Sequence, residues 1–282
     1  MRPDWSNPSG RTMFIPMNEQ HNLWFDTTVQ QLNDPQNQRV WSVIVSLFGD
    51  LAQDKGARIS GGALTRIITP MGIKPEAIRV ALHRLRKDGW IESARAGRAS
   101  VHYLTEYGRS QSAAVTPRIY ERRAAAPVDW HLLIAEDGSG QATLDEVLLL
   151  PNYVAVNRTT ALGHGPVPRS LNDLMAAQVS HVAVPGWLKT RLFPEHLREA
   201  CAALQQDLSR ITPPPSGLTP SQTGTLRTLI VHRWRRVVLR HPDLPASFHP
   251  ADWAGETCRG LVFQLLDQLP RPELSALDDL PD

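Results

Sequence analysis

Arg79, His83, Arg86 and Lys87 stand at i, i+4, i+7 and i+8. On a helix this spacing gathers four groups able to donate to phosphates or base edges on one face. Ile78, Leu82 and Leu85, with Ala81 close by, make the opposing apolar stripe. An arginine so placed either forks onto guanine O6 and N7 or holds a phosphate, and the spacing leaves both roles open. Arg95 and Arg98 bracket a turn, residues 95–98 (RAGR), between two strand-like runs at 90–94 (WIESA) and 99–104 (ASVHYL). Cations at the tip of such a hairpin suit phosphates or a minor groove.

Elements that position these groups are readable upstream. Val40, Val43, Ile44, Leu47 and Phe48 form one helical stripe that is expected to stop at Gly49. Ser60 is an N-cap for a second helix with Leu64, Ile67 and Ile68 inward, ended by Pro70 and followed by a tight turn at 71–73. Pro75 and Glu76 suit the first turn of a third helix, which Gly89 ends. Three helices with a short glycine-containing turn, then a hairpin, predict a winged helix-turn-helix whose third helix enters the major groove. Winged helices also dock proteins, but cations on both the third helix and the wing favour double-stranded DNA.

The charge distribution agrees with that reading. Residues 38–123 carry 15 Lys and Arg against 7 Asp and Glu, whereas the whole 282-residue chain is only +2. A length of 282 residues exceeds the roughly 100–200 of one domain, so several cores are expected. The partition read from pattern is a polar tail at 1–37 with one short helix at 23–32, a winged-helix domain at 38–121, a central domain at 128–188 and a helical domain at 189–282. Residues 122–128 read as a linker. In the central domain, strands are expected at 130–135, 153–159 and 179–184, with a loop at 137–140, a short amphipathic stretch at 143–150 and a helix at 170–178 capped by Ser170. This alternation predicts a small ferredoxin-like α/β domain, and the fold class is α+β. Helices are expected at 194–211, at 220–239 behind a Thr219 N-cap, and from 250 or 253 to 269. No apolar run long enough to cross a membrane is present, and Pro3, Asp4, Asn7 and Pro8 stand where an export signal needs apolar residues, so a cytoplasmic protein is expected. Cys201 and Cys258 have no metal-ligand spacing, so no metal and no cofactor are expected.

Several stretches resemble the PaaX-like family of bacterial transcriptional regulators. They are 42–50 (SVIVSLFGD), 72–90 (GIKPEAIRVALHRLRKDGW), Tyr103-Leu104-Thr105 with Gly108, Arg118-Ile119-Tyr120, and far downstream 231–253 (VHRWRRVVLRHPDLPASFHPADW) with Trp187-Leu188 and Leu192-Phe193-Pro194. The resemblance covers roughly residues 38–270 and is most specific in its downstream block. It implies a winged helix, a central Cas2-like domain and a helical C-terminal domain. It also implies a homodimeric repressor of phenylacetate-type catabolism that an acyl-CoA effector releases from its operator. The chain departs from the family in its long polar lead and in an acidic stretch (Glu136, Asp137, Asp145, Glu146) where relatives are often arginine-rich.

A second cationic cluster lies in the downstream block. On a helix Arg233, Arg236 and Arg240 share one face, with Leu226, Ile230, Trp234 and Val237 on the neighbouring one. One reading is an effector wall with Trp234 or Trp253 beside an aromatic acyl group. The other is an inter-domain strut whose arginines pair with Asp243, Asp252 or Glu256. No catalytic constellation is found: the histidines lack metal spacing, and residues 137–140 (DGSG) are a loop former. The Cas2-like analogy alone raises an alternative, a Mg²⁺-dependent nuclease using Glu136 or Asp137.

Overall fold

The computed structural model describes residues 17–97, 99–122, 129–150, 152–167, 171, 173–180, 183–240, 244 and 246–278. The chain is α+β, with eleven α-helices and two small antiparallel sheets among the described residues.

The stripe expected from Val40 onward forms α2 (Val40–Leu51), which buries Val43, Ile44, Leu47 and Phe48. Gly49 does not end it. Val45, Ser46, Asp50 and Leu51 are buried as well, because α2 is enclosed by three other helices and its last turn is held by tertiary packing. Residues 59–60 form the short β1 (Ile59–Ser60), and α3 (Gly61–Ile68) starts as expected, with the Ser60 hydroxyl accepting from Ala63 N at 3.0 Å. A 3-10 turn follows, and Gly72 closes it at φ 79°, which favours glycine. Next come α4 (Pro75–Lys87) and the hairpin of β2 (Ile91–Ala96) and β3 (Ala99–Leu104), paired from Ile91–Leu104 to Ala96–Ala99. β1 completes a three-stranded sheet on the other edge of β3.

The Thr105–Gly108 pattern has a packing cause. Thr105 caps α5 (Glu106–Tyr120), accepting from Gly108 N at 2.9 Å and donating to the Gly89 carbonyl at 2.6 Å. A Cβ at position 108 would lie 2.2 Å from the Trp90 carbonyl oxygen. Gly108→Ala is therefore expected to cost about 2–3 kcal/mol by overpacking, read as a lower denaturant midpoint with unchanged slope.

The lead before Val40 is not a detached tail over its described part. α1 (Met17–Leu32) buries Phe25, Val29 and Leu32. It packs on α8 (Glu195–Ser209) and α9 (Pro220–Val238), whose bounds fall close to those expected. Thr219 caps α9 with a full capping box. α9 runs through the middle of the molecule, and α10 (Gly255–Gln268) packs on α8 and α9. One continuous core joins α1–α5 to α8–α10, so the helices before and after the central sheet share an interior.

The central sheet has the order β5-β6-β4-β7, all antiparallel, from β4 (Trp130–Ala135), β5 (Tyr153–Asn157), β6 (Thr160–His164) and β7 (Leu174–Val179). α6 (Gln141–Val147) covers one face and α7 (Gly186–Leu192) the other. The helix expected over 170–178 is instead β7, and the strand expected at 179–184 ends at its first residue. Leu171, Leu174 and Met175 mimic a helical period, but pairing with β4 buries Leu174 and turns Met175 outward. Ser170, His181 and Val182 lie outside the described residues, as does 123–128 of the expected linker. β6 went unread because its five residues, TALGH, carry no alternation. The strand order is that of a ferredoxin-like sheet, but among the described residues no helix links β6 to β7.

Candidate nucleic-acid interface

α4 is set by its own sequence. Pro75 lacks only an N–H that a first turn cannot use, Glu76 complements the positive end, and Gly89 just past the helix takes φ 73°. Ile78, Ala81, Leu82 and Leu85 are buried and turn the other face outward. On it Arg79, His83, Arg86 and Lys87 are all exposed. The Arg79 pair with Glu76 spans 3.7 Å between side chains more than 70% exposed, which leaves the guanidinium available to a stronger anion.

Val80 was missed. It is 71% exposed on the same face, an apolar residue with nothing to cover it, and a thymine methyl is the base feature that such a side chain reads. Its signal in the sequence is that it falls off the apolar stripe. Arg84 turns aside, pairing with Asp88 at 3.5 Å and lying over the Trp41 ring.

The hairpin extends beside this face. Gly97 has φ 61°, as a two-residue turn requires, and Arg95 is exposed next to it. Arg98 lies outside the described residues. His102 on β3 faces inward, its Nδ1 2.7 Å from the Ser93 hydroxyl. Burial, then the charge of Arg86, lowers its pKa, so it packs as a neutral ring beneath the cations. Between the first turn of α3, the outer edge of α4 and β3 lies an open groove of about 780 Å³, lined by Gly61, Gly62, Arg66, Arg79, Arg86 and His102 among others.

The second cationic cluster is divided by the fold. Arg233, Arg236 and Arg240 line one cavity of about 450 Å³ between α8, α9 and the chain after α1, together with His196. Arg233 is only 9% exposed and pairs with Asp207 at 2.6 Å, and Arg236 pairs with Asp34 at 2.9 Å. Trp234 does not share this wall. It is buried on another side of α9, with Nε1 donating to the Ile119 carbonyl at 2.9 Å and Arg259 over its ring. Trp253 is elsewhere again, 4.7 Å from Phe193 in the packing under the central sheet. The strut partners named from sequence also differ: Asp252 takes Arg198, Asp207 and Asp34 take the arginines of α9, and Asp243 lies outside the described residues.

The carboxylates considered for metal chemistry do not gather. Glu136 accepts from Ser139 at 2.6 Å within its own loop. Among the described residues no three His, Cys, Asp or Glu side chains cluster to hold an ion. Cys201 and Cys258 are both buried, free thiols.

An outward cationic helix beside an antiparallel hairpin, on a core shared with a C-terminal helical bundle, narrows the class of protein. Two blocks of the chain match the PaaX-like protein family: residues 39–108 match its PaaX-like region and residues 194–275 its C-terminal domain. The chain belongs to this family. It is 28% identical over 252 residues, covering 81% of this chain and 79% of the relative, to the transcriptional repressor PaaX of Escherichia coli strain K12. In fold it is similar to the uncharacterized protein Rv0674 from Mycobacterium tuberculosis, with a TM-score of 0.53 at 20% identity, covering 84% of this chain and 97% of that one.

Proposed function

We propose that this protein is a sequence-specific DNA-binding transcriptional regulator and not an enzyme. α2–α4 and the β2–β3 hairpin act in it as a winged helix-turn-helix. The observation that carries this is the outward face of α4, where Arg79, Val80, His83, Arg86 and Lys87 are all exposed over a buried apolar stripe. α4 enters the major groove, and Arg95 and Arg98 grip the backbone from the hairpin. Two copies pair to read a palindrome with half-sites one or two helical turns apart. The curated repressor relative supports repression and disfavours the nuclease alternative. In this reading the protein works in the cytoplasm, on an operon for degrading an aromatic acid such as phenylacetate.

The effector proposed is an acyl-CoA held at the cavity beside α9. Arg240 is exposed there and His196 adds a second donor, while Arg233 and Arg236 are already engaged by carboxylates. Release requires that the effector bind one arrangement of the dimer better than another.

The test is capture of sheared genomic DNA by the purified protein at physiological salt, with and without a mixture of aryl-CoA thioesters. The expected result is one enriched palindrome beside a catabolic operon, lost when the thioesters are added and retained by Arg240→Ala in their presence. Capture of no sequence above background would overturn the reading and leave a protein-docking winged helix.

A further inference from the structure

Beyond α10 the chain turns back toward the helices of the first unit. Arg271 reaches the buried Asp50 at 3.2 Å, and α11 (Leu274–Asp278) then packs on β1 and α3. Leu277 is 1% exposed, its carbonyl accepts from Arg66, and the Asp278 carboxylate accepts from the Ser60 hydroxyl at 2.5 Å. Ser60 is the N-cap of α3, so a carboxylate of the chain itself sits at the positive end of that helix. Gly61, Gly62 and Arg66 also line the groove that Arg79 and Arg86 of α4 share. A DNA phosphate and a carboxylate ask for the same things there: amides of the first turn, a hydroxyl and a guanidinium.

Resting on the DNA reading above, we propose that residues 274–278 are an intramolecular competitor for the DNA backbone. Docked, the segment neutralises the start of α3 and keeps Arg66 on the Leu277 carbonyl. DNA gains that edge of the groove only when the segment lifts. One five-residue helix anchored by a single buried leucine can open locally without unfolding the core.

The experiment compares the full chain with Asp278→Asn, which keeps shape and acceptor but removes the charge. The probe is a mixed-sequence duplex titrated across salt concentrations. The variant is expected to bind about two- to fivefold tighter at ~50 mM salt, with the gain fading as salt screens it. Amides of 274–278 in the unmodified chain should exchange faster with solvent when DNA is added. Equal or weaker binding by the variant, or unchanged or slower exchange at 274–278, would overturn the proposal while leaving DNA binding intact. If neither protein binds any duplex, the DNA reading falls and this one with it.

Discussion

Asp50→Ala is expected to destabilise the protein by about 3–5 kcal/mol, because it strands a buried guanidinium. Asp50 on α2 is 3% exposed and takes Arg227 of α9 through both oxygens, each at 2.8 Å. The Tyr120 hydroxyl donates to it at 2.7 Å and Arg271 approaches at 3.2 Å. Arg227 is 4% exposed and also caps the end of α10 through the Leu266 and Leu269 carbonyls. Burial, then the Asp50 charge, pushes the Tyr120 hydroxyl above its usual range, so it stays protonated and remains a donor. Against a typical total of about 5–15 kcal/mol, the loss of Asp50 is expected to lower Tm by roughly 10 °C. Arg271→Ala supplies the comparison. Its side chain is 54% exposed, so its removal should cost under about 1 kcal/mol. Thermal unfolding in which the two variants shift equally would show that this network does not join α2 to the C-terminal helices.

Arg79→Ala and Arg95→Ala should separate along different axes of binding. Arg79 sits one turn into α4, where a forked donor reaches base edges, and its loss should cost about 1–3 kcal/mol at the cognate site and relax selectivity there. Arg95 stands on the hairpin, which in the proposed reading meets the backbone. Its loss should weaken all duplexes alike and shrink the slope of log K against log salt by about 1. Titration of each variant on operator and on mixed-sequence DNA at several salt concentrations distinguishes them. If neither substitution changes binding, α4 and the hairpin are not the DNA face.

Much of the interface was legible because it is local. The α4 stripe, its proline start and glycine stop and the Ser60 cap all depend on residues within one or two turns of each other and stand where spacing predicts, whereas β2 runs on through Ala96 and takes Arg95 out of the expected turn into the ladder opposite Ser100. Val80 carries no charge to mark it, although its place off the Ile78, Leu82 and Leu85 stripe already sets it on the outward face. β7 was misread since an edge strand with one buried residue offers a weak period of two, which a chance helical spacing outscored.

The cluster on α9 shows where periodicity stops informing. Its helix bounds and capping box follow from Thr219, Pro220 and Gln222 alone. Which of its sides meets a neighbour does not, because α9 is surrounded: Thr225 donates to the Ile67 carbonyl, His232 packs against the Ser46 hydroxyl and Trp234 against α5. Fifteen of its nineteen residues are buried, and of the arginines that read as an open wall Arg233 and Arg236 are committed to Asp207 and Asp34, while Arg240 stays exposed. The sequence by itself determined most of the elements that carry the outward cations of α4 and pointed to the family, since caps, turns and stripes act over a few residues. Only the tertiary structure decided which charges are spent inside the molecule and that the last helix returns to α3. Pairing partners such as Asp50 and Arg227 lie 177 residues apart, and nothing in local spacing relates them.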